Sequence, residues 1–320
     1  MTMPQPQPER MVWISGGTFL MGSDKHYPEE APAHRVTVTG FHIDAYPVTT
    51  AQYRDFVKAT GYLTVAERAA NPDDYPGARP ELLVPSSTVF KRPDRLVDMH
   101  NPYNWWTYVP GANWRYPQGP GVDPGFIEDH PVVHVAFEDA QAFATWSGKE
   151  LPTEAEWEFA CRGGLDGAPY AWGDVFEPGG KSLANTWQGH FPYSNLLTDG
   201  FEWTSPVGSF PPNGHGLYDM IGNVWEWTTD WYQVHKESAQ GRPCCASSVN
   251  PTGGLMHGSF DPRMPDIRIP RKVMKGGSYL CAPNYCQRYR PAARMAQPID
   301  TSTCHLGFRC VRRRRENHKS

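Results

Sequence analysis

Residues 11–22 (MVWISGGTFLMG) place apolar side chains on either side of a Gly-Gly break, which predicts a strand, a turn and a second strand. Residues 35–43 (RVTVTGFHI) alternate and are rich in β-branched residues, again a strand pattern. The spacing then changes to that of a helix. Thr49 or Thr50 caps it, Tyr53, Phe56 and Val57 form its apolar stripe, and Gly61 ends it. A second short helix is predicted near residues 138–148 (EDAQAFATWSG). A third follows in LPTEAEWEFACRGG, where Thr153 and Glu156 form a capping box. Trp157, Ala160 and Cys161 share one of its faces, and Gly163 stops it. Capping and solvent exposure account for Glu154, Glu156 and Glu158 better than a catalytic role does.

Residues 70–130 are rich in Pro, Gly and Asp, and Trp105, Trp106, Trp114 and Tyr116 suggest a long loop folded on its own aromatics. From 165 to 310 the pattern offers short strands and turns and no second helical domain. The fold class expected is α+β, with few short helices and much ordered coil. A single domain is expected over 11–311, between an N-terminal tail at 1–10 and a basic C-terminal tail at 312–320.

Composition supports this picture. The 30 glycines and 32 prolines work against long helices, and 12 tryptophans can pin irregular backbone. A net charge of -4 gives no field suited to nucleic acid, so the run Arg312–Arg315 is read as a solvated tail. No apolar run reaches membrane-spanning length, and no basic segment leads into an apolar one at the N-terminus. With arginine in excess over lysine, a bacterial cytoplasmic location is the expectation. Neither nucleic acid nor membrane is an expected partner.

The candidate chemistry centres on GGSYLCAPNYCQRYR, residues 276–290. Cys281 and Cys286 match neither a Cys-x-x-Cys redox motif nor half of an ordinary zinc site. Two soft thiolates suit Cu(I), which accepts two ligands where zinc wants four. A surface disulfide or two ordinary buried thiols stand as alternatives. His130 and His134 in HPVVHV make a poor metal site alone and read as hydrogen-bonded core residues. Asp199, Asp219 and Glu226 sit among Gly- and Asn-rich turns whose carbonyls can join carboxylates around calcium, although such turns need no metal.

The blocks GGTFLMGSD, GANWRYP, LPTEAEWEFACRGG, NTWQG, PPNGHGLYDMIGNVWEWTTDW and KGGSYLCAPNYCQRYRPAAR…LGFRC occur in this order. Together they resemble the formylglycine-generating enzymes, or sulfatase-modifying factors, over about residues 11 to 311. The specific element is the Cys281/Cys286 pair. The resemblance implies a C-type-lectin-like, mostly irregular fold. It implies oxidation of the cysteine in a Cys-x-Pro-x-Arg segment of a nascent or unfolded sulfatase to Cα-formylglycine, using Cu(I), molecular oxygen and a thiol reductant. By the same resemblance Cys281 and Cys286 would bind copper, and Ser278, Tyr285 and Trp225 would line the site. One calcium site would use Asn185 and Asp199 with the carbonyls of Thr186 and Phe201. A second would use Asp219 and Glu226 with the carbonyls of Gly222 and Val224. Cys161 and Cys310 match a disulfide of secreted members, and in a reducing cytosol bridge and free thiols stand equal. His305 stands where animal members have Asn, close to the expected peptide groove. Residues 232–272 form an insertion containing Cys244-Cys245, read as loop cysteines rather than a metal relay. A monomer is expected. The alternative function is a non-catalytic lectin-like binding module of the same fold. An iron-dependent sulfoxide synthase ranks last: that chemistry would need an iron-binding histidine set, usually with an extra N-terminal helical domain, and the chain is expected to begin directly at the family domain.

Overall fold

The protein's structure is a computed structural model that describes residues 10–125, 127–234 and 248–314. Along the chain run β1 (Met11–Ile14), β2 (Gly17–Met21), β3 (His34–Val38), β4 (Phe41–Asp44), α1 (Thr50–Thr60), β5 (Ser86–Phe90) and β6 (Trp106–Pro110). Then come α2 (Phe137–Trp146), α3 (Glu154–Arg162), β7 (Trp225–Trp231), β8 (Ser248–Val249), β9 (Arg271–Lys275), β10 (Arg294–Pro298), β11 (Leu306–Gly307) and β12 (Val311–Arg313). The strands form small sheets in the orders β1-β4-β12, β10-β9-β7-β11, β2-β3-β8 and β5-β6. This is the α+β architecture expected.

The helices follow their caps. Thr49, not Thr50, is the N-cap of α1, with Gln52 reciprocating, and Gly61 closes the helix at φ 68°. Thr153 and Glu156 form the box expected on α3, and Gly163 ends that helix at φ 59°. α3 lies against β2, β3, β7 and β9, and so ties two sheets together. Its glutamates are not solvent-facing as expected. Glu154 and Glu158 are buried against Arg294, Lys275 and Arg162. Glu156 bonds the Thr153 N–H and meets Arg313.

The strands lie where the pattern predicts them, and the structure supplies their pairing. β1 and β2 do not form a hairpin: β1 pairs with β4 and β2 with β3. The stretch 35–43 is two strands, broken at Gly40, where a Cβ would lie 2.5 Å from the Trp13 ring. The 70–130 region is less of a loop than expected, because it contains the β5–β6 pair. Trp105 and Trp114 are buried there, while Tyr116 is exposed. The basic run begins inside the fold. β12 pairs with β4 through Arg313, whose side chain bonds Glu156 and Glu150, so the expected boundary at 311 falls within a strand. Cys244 and Cys245 lie outside the described residues.

Two apolar clusters divide the interior. The larger contains Cys281, Cys286, Trp225 and the α1–α3 face residues. The smaller gathers Phe90, Trp105, Trp187, Phe191, Tyr279, Leu280, Ala282 and Cys304. The segment 279–286 therefore runs along the seam between them.

Candidate active site at a buried sulfur pair

After β9 the chain reverses through Gly276 and Gly277, both at positive φ. A side chain at Gly277 would collide with the Arg288 carbonyl at 2.9 Å, so glycine lets residues 277 and 288 approach. Ser278 then opens a turn. Its carbonyl accepts the Cys281 N–H at 2.9 Å, and its hydroxyl accepts the Leu280 N–H at 3.2 Å. Residues 282–286 make one helical turn, with the Cys286 N–H bonded to the Ala282 carbonyl at 2.9 Å. Asn284 fixes this turn by exchanging hydrogen bonds with the Phe191 backbone, and the Trp187 N–H holds the Cys281 carbonyl.

The result brings Cys281 Sγ to 3.2 Å from Cys286 Sγ, with both residues buried. The two sulfurs differ. Cys281 accepts from the Ser278 N–H at 3.4 Å, and burial and its partner sulfur push its thiol well up. The hydrogen bond from Cys281 and the charge of Arg288 outweigh burial at Cys286 and hold its thiol down at about 6. Arg288 on its side makes Cys286 the more acidic of the two thiols.

Tyr285 stacks on Phe191 with centroids 4.2 Å apart and meets Trp105 edge-on at 5.7 Å. Burial and the sulfurs push its phenol up to about 12, although the residue is 41% exposed. Trp225 is buried at the start of β7, its N–H bonded to the His305 carbonyl at 2.8 Å. His305 bonds Thr303 and packs on Trp106. The structure thus places Ser278, Cys281, Tyr285 and Cys286 in two successive turns, with Trp225 at the start of β7 and His305 in the turn just before β11.

Among the described residues no group of three or more His, Cys, Asp or Glu side chains can hold a metal. A two-sulfur set does not suit zinc, but it suits a soft ion of low coordination number. His130 bonds Thr204, and His134 bonds Ser87 and the Pro117 carbonyl, which is the hydrogen-bonded role expected. No disulfide joins Cys161 to Cys310.

The two oxygen-donor sets part ways. Asn185 Oδ1 is buried without a hydrogen-bond partner, while its Nδ2 is spent on the Trp203 carbonyl. Asp199 reaches the same coil, accepting from the N–H groups of Thr186 and Phe201. An orphaned acceptor beside a half-buried carboxylate fits a hard cation. The second set does not fit. Both Glu226 oxygens are held by Arg309 at 2.8 Å, and Trp157 Nε1 adds a third bond at 2.7 Å. Asp219 accepts the Gly208 N–H instead, and Gly222 packs on the Asn185 carbonyl. A cation among Asp219, Gly222, Val224 and Glu226 would face a guanidinium already neutralising its carboxylate.

Sequence reading missed the surroundings of Cys286. Arg288 Nη1 lies 3.9 Å from its Sγ, and Glu29 and Tyr27 hold that arginine from the other end of the chain. Arg288 stands inside the quoted motif, but no local pattern marks Tyr27 or Glu29.

Fold and site together define a coil-rich α+β protein that carries a buried, asymmetric thiol pair suited to oxidoreductive chemistry. The chain matches the model of the sulfatase-modifying factor enzyme 1-like domain over residues 1–314, and it belongs to that family of enzymes. It is 51% identical over 302 residues to a formylglycine-generating enzyme of Mycobacterium tuberculosis, covering 94% of this chain and 97% of that one. It is 45% identical to a formylglycine-generating enzyme of Mus musculus, covering 94% and 74%. Among solved structures, PvdO from Pseudomonas aeruginosa aligns with a TM-score of 0.61 at 26% identity, covering 95% of this chain and 94% of that one.

Proposed function

We propose that this protein oxidises the cysteine of a Cys-x-Pro-x-Arg segment in a nascent or unfolded sulfatase polypeptide to Cα-formylglycine. Cu(I), molecular oxygen and a thiol reductant take part. The observation that carries the reading is the Cys281–Cys286 pair, buried with its sulfurs 3.2 Å apart. Family membership and the formylglycine-generating names of two relatives support the substrate class.

Copper, when bound by Cys281 and Cys286, supplies the oxygen chemistry. The chain supplies the rest. Cys286 is the more acidic thiol of the pair, and the thiol protons must leave as both sulfurs become ligands. The Ser278 N–H and Arg288 give each sulfur a separate donor. The apolar clusters on either side of residues 279–286 exclude water from the sulfurs. Tyr285, partly exposed beside Cys286, is placed to contact an incoming peptide. Trp225 is assigned to the wall of the same site. The protein acts as a monomer in a bacterial cytoplasm. Asn185 and Asp199, with the carbonyls of Thr186 and Phe201, hold a structural calcium.

The test is a synthetic peptide containing Leu-Cys-x-Pro-x-Arg, incubated with protein, Cu(I), reductant and air and followed by mass spectrometry. A thiol-to-aldehyde mass loss that requires copper and disappears in Cys281→Ser and Cys286→Ser is expected. No conversion by folded, copper-loaded protein would overturn the reading in favour of a binding module.

A further inference from the structure

Arg288 is more tightly aimed than an ion pair alone requires. Its Nε and Nη2 both bond Glu29 Oε1, and its guanidinium lies 3.8 Å from the centre of the Tyr27 ring. The Tyr27 hydroxyl accepts the Gln287 N–H at 3.0 Å, which joins the ring to the backbone beside Arg288. With one edge and one face occupied, Nη1 is left directed at Cys286 Sγ, 3.9 Å away. The segment that carries Tyr27 and Glu29 is itself fixed. Glu30 is fully buried against Arg290, and the Glu29 carbonyl accepts from Arg294 Nη1 at 3.3 Å. Three arginines of the segment that follows the cysteines thus dock on one short turn (Pro28–Glu30) about 260 residues earlier. The donor at Cys281 is a backbone N–H, so the two sulfurs are held by different means.

We propose that Arg288, aimed by Glu29 and Tyr27, is the positioning residue of the Cys286 sulfur, holding it toward Cys281 so that the pair can close on one soft ion. This deepens the copper reading and rests on it for the identity of the ion. An outer partner that orients a ligand typically changes metal affinity by about 10–100-fold when removed. A planar fork can bond Glu29 through one edge and still offer an N–H to sulfur, which a lysine ammonium cannot reproduce.

The experiment uses the reduced full chain and the variants Arg288→Gln, Arg288→Lys and Glu29→Gln. Cu(I) affinity is read by anaerobic competition with a coloured chelator. A metal-free readout accompanies it: the rate at which diamide closes Cys281 and Cys286 into a disulfide. In that step two thiols give two electrons and two protons to the N=N bond, which becomes a hydrazine. Arg288→Gln is expected to weaken Cu(I) binding about 10–100-fold and to slow disulfide closure. Arg288→Lys should restore neither, and Glu29→Gln should fall between. Thermal midpoints are recorded for all variants, because a mere tether between chain segments would lower stability and leave both sulfur readouts at wild-type values. That outcome, or full rescue by lysine, overturns the proposal. If wild-type protein binds no Cu(I), the copper reading fails, and the diamide rates alone decide the role of Arg288: slowed closure upholds it and unchanged closure removes it.

Discussion

His134 has no exposed surface, and burial holds its imidazole down at about 4 against an ordinary 6.5. The unfolded chain therefore takes up a proton near pH 6.5 that the folded chain refuses until about pH 4. Below pH 6.5 the unfolded state binds more protons, so stability from this group falls as pH falls across that window, by about 3 kcal/mol in all. His134→Asn tests this, because asparagine tolerates the left-handed backbone at φ 58°. Urea unfolding at pH 7 and pH 4.5 should show wild type losing more stability than the variant; equal losses would rule out a buried neutral histidine. The absence of a Cys161–Cys310 bridge makes a second prediction. Burial pushes the Cys161 thiol far up and leaves it inert, so dithiothreitol should not move the thermal midpoint. A drop of several degrees would reveal a bridge. At this scale the sulfur pair was legible because both members lie in one short motif. Arg288 was visible but had no role until Glu29 and Tyr27, remote in sequence, were seen around it. Glu154 and Glu158 were misread for the same reason: their partners Arg294 and Lys275 lie more than a hundred residues away.

At the scale of elements, local chemistry decides how helices begin and end, and distant chemistry decides what strands pair with. α3 carries its own instructions in Thr153, Glu156 and Gly163, and all three act as their positions predict. Thr153→Ala removes the acceptor for the Glu156 N–H and should cost about 1 kcal/mol in urea unfolding. Thr153→Ser should cost much less, since its hydroxyl caps equally well. If both substitutions cost the same, the lost methyl packing and not the cap holds the helix start. The strands carry no comparable instruction. β1 and β2 look like a hairpin because the short Ser15-Gly16 link joins them and Gly17 follows it. Yet each finds its partner across the 12-residue connection from β2 to β3 or beyond, where Gly40 yields to Trp13. A periodicity of two says that a strand exists and which side is apolar; it does not say which edge it joins.

At the scale of the molecule, short strands and, among the described residues, three α-helices leave long coils such as 185–223 with few ladder bonds. Side chains must hold these coils. Asn223 does so by exchanging bonds with the Ser205 backbone, and Asn213 by bonding the end of α3. Asn185 Oδ1 is one of three buried atoms of this coil, with Ser205 Oγ and His215 Nδ1, that no partner meets, and it is the one that lies beside a carboxylate. Such an atom costs stability unless an ion or water completes it, and the adjacent Asp199 carboxylate favours an ion. Calcium at about 100 times its dissociation constant should add about 2.7 kcal/mol, near 5 °C in thermal midpoint for a chain of this size. Chelation of wild-type protein should remove that increment and added calcium restore it. Asn185→Ala and Asp199→Asn should be less stable at the outset and indifferent to chelator. Glu226→Gln should also be less stable, because Arg309 loses its charged partner, yet it should keep the full calcium increment. If Glu226→Gln abolished the calcium response, the bidentate Arg309 bond would not describe the loaded protein, and the second oxygen set would be a cation site after all. If chelator moved no midpoint, the orphaned Asn185 oxygen would have to be met by water alone.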